Sequence, residues 1–295
     1  DKIENSGQSW LEYVKGIANG LQSRGLPLKG FKGVIQSDLP IGAGLSSSAA
    51  FEMAAIKCLL QNDESKLNTS EMALLGQWVE NSWIGLNCGI MDQLISAGGV
   101  EDHALFLDCR SLESKSIRIP DEALIAILDT TTRRELTGSA YNERRQQCEA
   151  AATELGVKSL RDLTLDHLKE NRANLDQIVG NRAMHVVTEN ARVEKTVEEF
   201  QKKDLAAVGN LFVESHQSLR DLFEISSPAL NQMSDSALKS RGCFGARMTG
   251  GGFAGCAVAI IDRDKKEVFQ EDVERYYFDL TGMKPAVYIS DAFSG

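Results

Sequence analysis

The sequence predicts an α+β protein built as two domains, and three observations carry that expectation. Its 295 residues, 42% of them hydrophobic, can bury one large core or two moderate ones, and the length favours two. Stretches with the 3.6-residue spacing of helices alternate with apolar runs of strand length, which implies a layered sheet-and-helix arrangement in the second half. With 25% charged residues and five prolines, no stretch has a disordered or low-complexity composition.

Residues 10–22 have helical spacing through Trp10, Val14, Ile17 and Leu21. Residues 31–36 read as a strand leading into a glycine–serine block, and 49–60 as the helix that follows. Asn68, Thr69, Ser70 and Glu71 form a capping box with asparagine as cap, opening a helix that carries Leu74, Leu75, Trp78 and Val79. A loop over 85–88 precedes a short helix, 90–97, ended by Gly98 and Gly99. Residues 104–108 and 124–129 are of strand length. After Tyr141 the chain turns helical as far as a stop at Gly156, and helices over 181–200 and 205–223 are divided by Lys202, Lys203 and Asp204. Ser227 followed by Pro228 is a helix start. A strand (256–261), a helix (266–280) and a strand (286–290) complete the order.

A net charge of −10 argues against nucleic acid or an anionic membrane as partner, since either calls for a basic stripe. A nucleotide can still be held, because backbone amides and a metal ion act locally. Six cysteines without a Cys-x-x-Cys pair and four histidines without metal-ligand spacing argue against structural zinc. Cys58, Cys109 and Cys256 sit in apolar runs and are expected as buried thiols. With no signal peptide at Asp1 and no apolar stretch approaching ~18 residues, the expectation is a cytoplasmic protein, acting as a monomer.

The block Leu39-Pro40-Ile41-Gly42-Ala43-Gly44-Leu45-Ser46-Ser47-Ser48-Ala49-Ala50 is the most informative stretch. Its glycines let backbone approach a ligand, and the free N–H groups and positive end of the following helix suit an anion. A Walker A loop needs lysine at the helix start, whereas the first lysine is Lys57. A Rossmann fingerprint needs glycine where Ser47 stands, and Pro40 interrupts the preceding strand, although Glu64 lies at a tolerable distance. A serine-capped strand-to-helix turn with no ligand is the third reading.

The block resembles the second motif of the GHMP kinases. Cys88-Gly89-Ile90-Met91-Asp92-Gln93 is similar to the catalytic-aspartate motif of the galactokinase family, and Arg247-Met248-Thr249-Gly250-Gly251-Gly252-Phe253 to the superfamily's third, glycine-rich motif. Three further stretches are similar to galactokinases alone: Asp108-Cys109-Arg110-Ser111-Leu112-Glu113, Tyr141-Asn142-Glu143-Arg144-Arg145-Gln146-Gln147-Cys148, and Glu214-Ser215-His216-Gln217-Ser218-Leu219-Arg220-Asp221. The resemblance runs in order from about Trp10 to Ser290. It implies a domain like ribosomal protein S5 domain 2 over 1–110, with a phosphate loop at 40–50, and a ferredoxin-like domain over 111–295. Galactokinases also carry a segment reading roughly Gly-Arg-Val-Asn-Leu-Ile-Gly-Glu-His-Thr-Asp-Tyr, with a catalytic arginine and sugar contacts, well before the position of Trp10. This chain starts at Asp1 without it, and the expectation is that the chain as given phosphorylates galactose very poorly or not at all.

The resemblance implies ATP and Mg2+ as cofactors and galactose as acceptor. Gly42, Ala43, Gly44, Leu45, Ser46, Ser47 and Ser48 would cradle phosphate, with Trp10 near adenine and Gly251 in the nucleotide turn. Ser48 and Glu80 would ligate Mg2+, and Asp92 would take the proton of the anomeric hydroxyl, although an aspartate of ordinary acidity is a weak base and takes the proton late. Gly89 and Tyr141 would contact the sugar. Without the resemblance, Glu80 reads as a solvated carboxylate, Met91 as core and Tyr141 as a half-buried core ring. Where Ala254 stands the family usually has glycine; a left-handed backbone there would strain alanine by roughly 1 kcal/mol. A kinase for another sugar, or a sensor that binds sugar and ATP without turnover, are the alternatives.

Overall fold

A computed structural model describes residues 3–7, 10–30, 32–39, 44–60, 67–86, 88–133 and 137–295. The chain divides into two units, one of Asp1–Ile41, Leu45–Ser116 and Ala292–Gly295, the other of Gly42–Gly44 and Ile117–Asp291.

The first unit is mainly helical: α1 (Leu11–Ser23), α2 (Ser47–Leu59), α3 (Thr69–Trp78), a π-helical turn (Val79–Ile84) and α4 (Met91–Gly98), followed by a two-stranded sheet of β1 (His103–Leu107) and β2 (Ser114–Arg118), whose last two residues count with the second unit. Its core joins Ile17 and Leu21 of α1, Met53 and Ile56 of α2, Leu75 of α3 and Val79. The spacing of these residues on each helix is what puts them on one face. Asn68 caps α3 with the capping box expected, its Oδ1 accepting from the Glu71 N–H at 3.0 Å. No strand forms over 32–36, where Val34 is 96% exposed, and Phe31 lies outside the described residues. A strand needs a neighbour for its N–H and C=O groups, and among the described residues this segment has none. Asp108 accepts the N–H groups of Arg110 (2.8 Å) and Ser111 (3.0 Å), so the Asp108–Glu113 stretch is the turn joining β1 to β2.

The second unit contains β3 (Ala123–Asp129), α5 (Thr137–Glu154), α6 (Leu165–Asn171), α7 (Gln177–Lys202), α8 (Leu205–Ser218), a second π-helical turn (Leu219–Phe223), α9 (Pro228–Lys239), β4 (Cys243–Met248), β5 (Cys256–Asp262), α10 (Lys266–Thr281) and β6 (Ala286–Ser290). Its sheet has the order β4-β5-β3-β6, with every pairing antiparallel and Ala126 opposite both Ala259 and Ile289. Alternate residues Leu124, Ala126 and Leu128 face the same core as Ala257, Ala259 and Ile261, and Met233, Ala237, Phe269, Val273 and Tyr277 of α9 and α10 cover that face. A four-stranded antiparallel sheet covered by two helices is the ferredoxin-like arrangement expected, and the molecule is α+β. The helix expected over 205–223 passes at Leu219 into the π-turn, which ends on Glu224 at φ 54.

Several residue expectations are corrected. Met91 is exposed, standing at the first position of α4, where the buried residues are Gln93, Leu94 and Ala97. Cys58 and Cys109 are exposed and Cys256 alone of the three is buried: Cys58 lies on the outer face of α2, and Cys109 in the hairpin turn. Ala254 has no left-handed backbone; the left-handed residues are Gly252 and Phe253 on one side of it and Gly255 on the other. Among the described residues no helix is long and apolar enough to cross a membrane.

Candidate active site

In the first unit the start of α2 is built to offer donors. Its N-cap, Ser46, is held at φ 53 and makes no side-chain cap, so the first N–H groups of the helix are left for a ligand. Ser48 lies in that first turn, half-buried. Gly42 and Ala43 lie outside the described residues. Gly44 clusters with the second unit, where a Cβ on Gly250 would come within 3.2 Å of its carbonyl oxygen.

Glu80 stands at the beginning of the first π-turn and is only 5% exposed, which overturns a solvated carboxylate. The extra residue of a π-turn rotates a side chain out of α-helical register, a common device at functional sites. The next residue, Asn81, anchors the aspartate motif: its Oδ1 accepts the Cys88 N–H at 2.8 Å, and its Nδ2 donates to the Cys88 carbonyl at 3.4 Å. Gly89 follows with open space where a Cβ would stand. Asp92, half-buried, lies in the first turn of α4.

Negative charge gathers around this motif. The Cys88 thiol is pushed up to about 11, chiefly by burial and then by the carboxylates of Glu80 and Glu52, with a smaller push from Asp92. The Tyr13 phenol rises to about 12 for the same first three reasons. Glu52 of α2 is fully buried, and burial followed by Glu80 raises it to about 9. It therefore stands as a neutral acid at pH 7. Gln93 donates to Glu52 Oε2 at 3.3 Å, while the Oε1 atoms of Glu52 and Gln93 are both buried and unpartnered. No hydrogen bond or ion pair among the described residues reaches the Glu80 carboxylate. A buried carboxylate without a counter-charge, in the same unit as the Ser48 hydroxyl, has the hard-oxygen chemistry that suits Mg2+.

Trp10 is 61% exposed just before α1, with its ring edge-to-face with Phe51 at 6.3 Å, so it is not part of the core stripe. In the second unit, Tyr141 is 42% exposed, and its Cδ2 lies 4.0 Å from where a Cβ of Gly251 would stand. The structure thus brings Tyr141 and Gly251 together. The turn after β4 is held from behind. The Met248 N–H donates to His216 Nδ1 at 3.1 Å, a ring kept neutral because burial, with Arg220 nearby, lowers its pKa. Arg247 Nη1 meets Glu189 at 3.3 Å, and Ser215 bonds the same carboxylate oxygen. The Glu214–Asp221 stretch therefore supports the glycine turn rather than forming a separate site. Gly252, at φ +81, could not carry a side chain, since a Cβ would run into the Ile225 carbonyl. Phe253, also left-handed at φ 65, donates its N–H to that carbonyl at 2.6 Å.

Sequence reasoning missed Asn81 and Glu52, and gave His216 no role beyond its place in the Glu214–Asp221 stretch. Glu52 left one signal, as the lone acid in α2 at the register of Met53 and Ile56.

These parts define a kinase of the GHMP type. Residues 12–99 match the GHMP kinases N terminal domain and residues 196–279 the GHMP kinases C terminal family. The chain is 39% identical over 300 residues to a galactokinase of Roseiflexus sp. (strain RS-1), covering 100% of this chain and 77% of that protein. It is 41% identical over 297 residues to a galactokinase of Mannheimia succiniciproducens, covering 99% and 77%. The crystal structure of Lactococcus lactis galactokinase complexed with galactose superposes with a TM-score of 0.92 at 32% identity, over 99% of this chain and 77% of that one. The chain belongs to the galactokinase family. A mevalonate kinase, at 22% identity and a TM-score of 0.60, shares the fold.

Proposed function

We propose that the protein transfers the γ-phosphoryl group of ATP to the anomeric hydroxyl of galactose, releasing galactose 1-phosphate. The observation that carries this is its likeness, across 99% of its length, to a galactokinase complexed with galactose. Phosphoryl transfer asks for position and charge neutralisation more than covalent work. The uncapped N–H groups at Ser46–Ser48 donate to the phosphate oxygens, with Gly42, Ala43, Gly44 and Leu45 as the residues that lead up to them in the sequence. Gly251 offers bare backbone to the nucleotide, and the exposed Trp10 ring offers a face to adenine. Ser48 and Glu80 hold Mg2+, which when bound offsets charge on the transferring phosphoryl group. Gly89 and Tyr141 contact the sugar. Asp92 orients the acceptor hydroxyl and takes its proton.

The test is a sugar panel with the full-length protein and Mg-ATP, following galactose 1-phosphate directly. Galactose should exceed glucose, N-acetylgalactosamine and galacturonic acid in kcat/KM by at least ~10-fold, since a site built to bond specific hydroxyls rejects analogues that leave them unpaired. A better rate on another sugar would reassign the acceptor, and ATP binding without turnover on any sugar would favour a sensor.

A further inference from the structure

We infer that Arg144 and Arg182 are positioning residues that fix the glycine-rich turn at 250–253 by gripping the end of the π-turn behind it. The inference rests on reading that turn as the nucleotide's.

A helix end leaves its last carbonyls without partners in the helix, and at the end of the π-turn Leu219–Phe223 these belong to the half-buried Leu222 and Phe223 and the exposed Glu224. Two guanidinium groups from different helices partner them. Arg144 of α5 donates from Nε to the Phe223 carbonyl at 2.8 Å and from Nη2 to the Glu224 carbonyl at 3.1 Å. Arg182 of α7, only 2% exposed, donates to the Leu222 carbonyl, meets Glu224 Oε2 at 2.5 Å and bonds Gln147 at 2.9 Å. Three successive carbonyls are thus held, and the next in line is that of Ile225.

That carbonyl is the seat of the turn. It takes the Phe253 N–H and closes the space over Gly252, while Ile225 packs with Leu219, Leu230 and Met248. Arg144 reaches the turn a second way, with its guanidinium 5.9 Å from the centre of the Phe253 ring. Phe253 pays for a left-handed backbone, and a strained residue persists only where its surroundings over-determine it. Arg144 and Arg182 complete those surroundings. A lysine in place of Arg144 could reach one carbonyl, since it lacks the planar fork.

The experiment compares the full-length protein with Arg144→Gln and Arg144→Lys, measuring amide exchange across 250–255 without nucleotide, and KM for ATP and for galactose. Exchange at 250–255 should rise at least ~5-fold in Arg144→Gln with β5 unchanged, and KM for ATP should rise ~10-fold with KM for galactose within ~2-fold, as expected when charge-assisted bonds that position a binding turn are removed. Arg144→Lys should recover part of both. Unchanged exchange overturns the inference whatever happens to ATP. Raised exchange with an unaltered KM for ATP also overturns it as a nucleotide device, while galactose turnover in the same samples leaves the kinase reading standing. Should Arg144→Gln fail to fold, Glu224→Gln, whose side chain is 56% exposed, takes its place. It should raise exchange at 250–255 by ~2-fold through the lost Arg182 anchor, and no change there overturns the inference.

Discussion

Asp92 occupies the first turn of α4, where the helix's positive end favours a carboxylate and where Asn81 fixes the preceding backbone through Cys88. An amide at this position keeps volume and loses the proton acceptor that the proposed mechanism requires. Asp92→Asn should therefore lower kcat by at least ~100-fold with nucleotide affinity nearly unchanged, and a near-normal rate would leave Asp92 with a structural role only. Glu52 permits a prediction with a defined sign. Its folded pKa of about 9 lies above the ordinary 4.5, so between those values the folded state holds more protons than the unfolded state and stability falls as pH rises. Gln has no proton to lose. The stability of Glu52→Gln relative to the parent should grow from pH 5.5 to 8.5 in urea unfolding, and a constant difference would mean that Glu52 is not held neutral. The positions of Ser48, Glu80 and Asp92 are legible from motif and spacing. The burial of Glu80 is not, because it depends on the π-turn, and nothing in Val79-Glu80-Asn81-Ser82 announces a change of helical pitch.

At the scale of elements, what is local is legible. The capping box at Asn68, the Ser227–Pro228 start and the apolar spacing of α1 and α10 mark their helices because each signal acts within a few residues. β2 and β4 escape because neither carries a run of apolar residues: β2 buries only Ile117, and β4 carries Arg247 and Gly245 in a short run with a bulge. The segment at 32–36 errs the other way, having strand composition without a partner. A close helix-to-strand approach is also hidden in sequence. Gly209 of α8 lies directly against the backbone of Phe244 and Gly245 in β4, and a Cβ there would run into the Phe244 carbonyl. Gly209→Ala should therefore destabilise the second unit by about 1–3 kcal/mol despite alanine's better helix propensity. Denaturant unfolding reads this directly, and a stabilised Gly209→Ala would show that α8 can shift away from the strand.

At the scale of the whole molecule, the first unit is discontinuous in sequence. Ala292–Gly295 belong to it although β6, just before them, belongs to the sheet of the second. Their carbonyls and amides are used: Asp102 N–H donates to Ala292 at 3.0 Å, and Gly295 N–H donates to Gly99 at 2.9 Å. Removing residues 292–295 should cost the first unit about 1–3 kcal/mol and speed amide exchange over 96–103, with β3 and β5 unaffected. Unchanged protection over 96–103 would mean that the tail adds nothing to that unit.

The same tail sets an order of events during synthesis. Residues up to Ser116 emerge first, yet the backbone contacts made by 292–295 arrive only after the entire second unit has been made. At ribosomal speeds that interval is roughly ten to thirty-five seconds. Through it the nascent first unit stands with the Gly99 carbonyl and the Asp102 amide open to whatever the cell presents, and translation must pass residue 295 before the earlier-made unit has all its contacts.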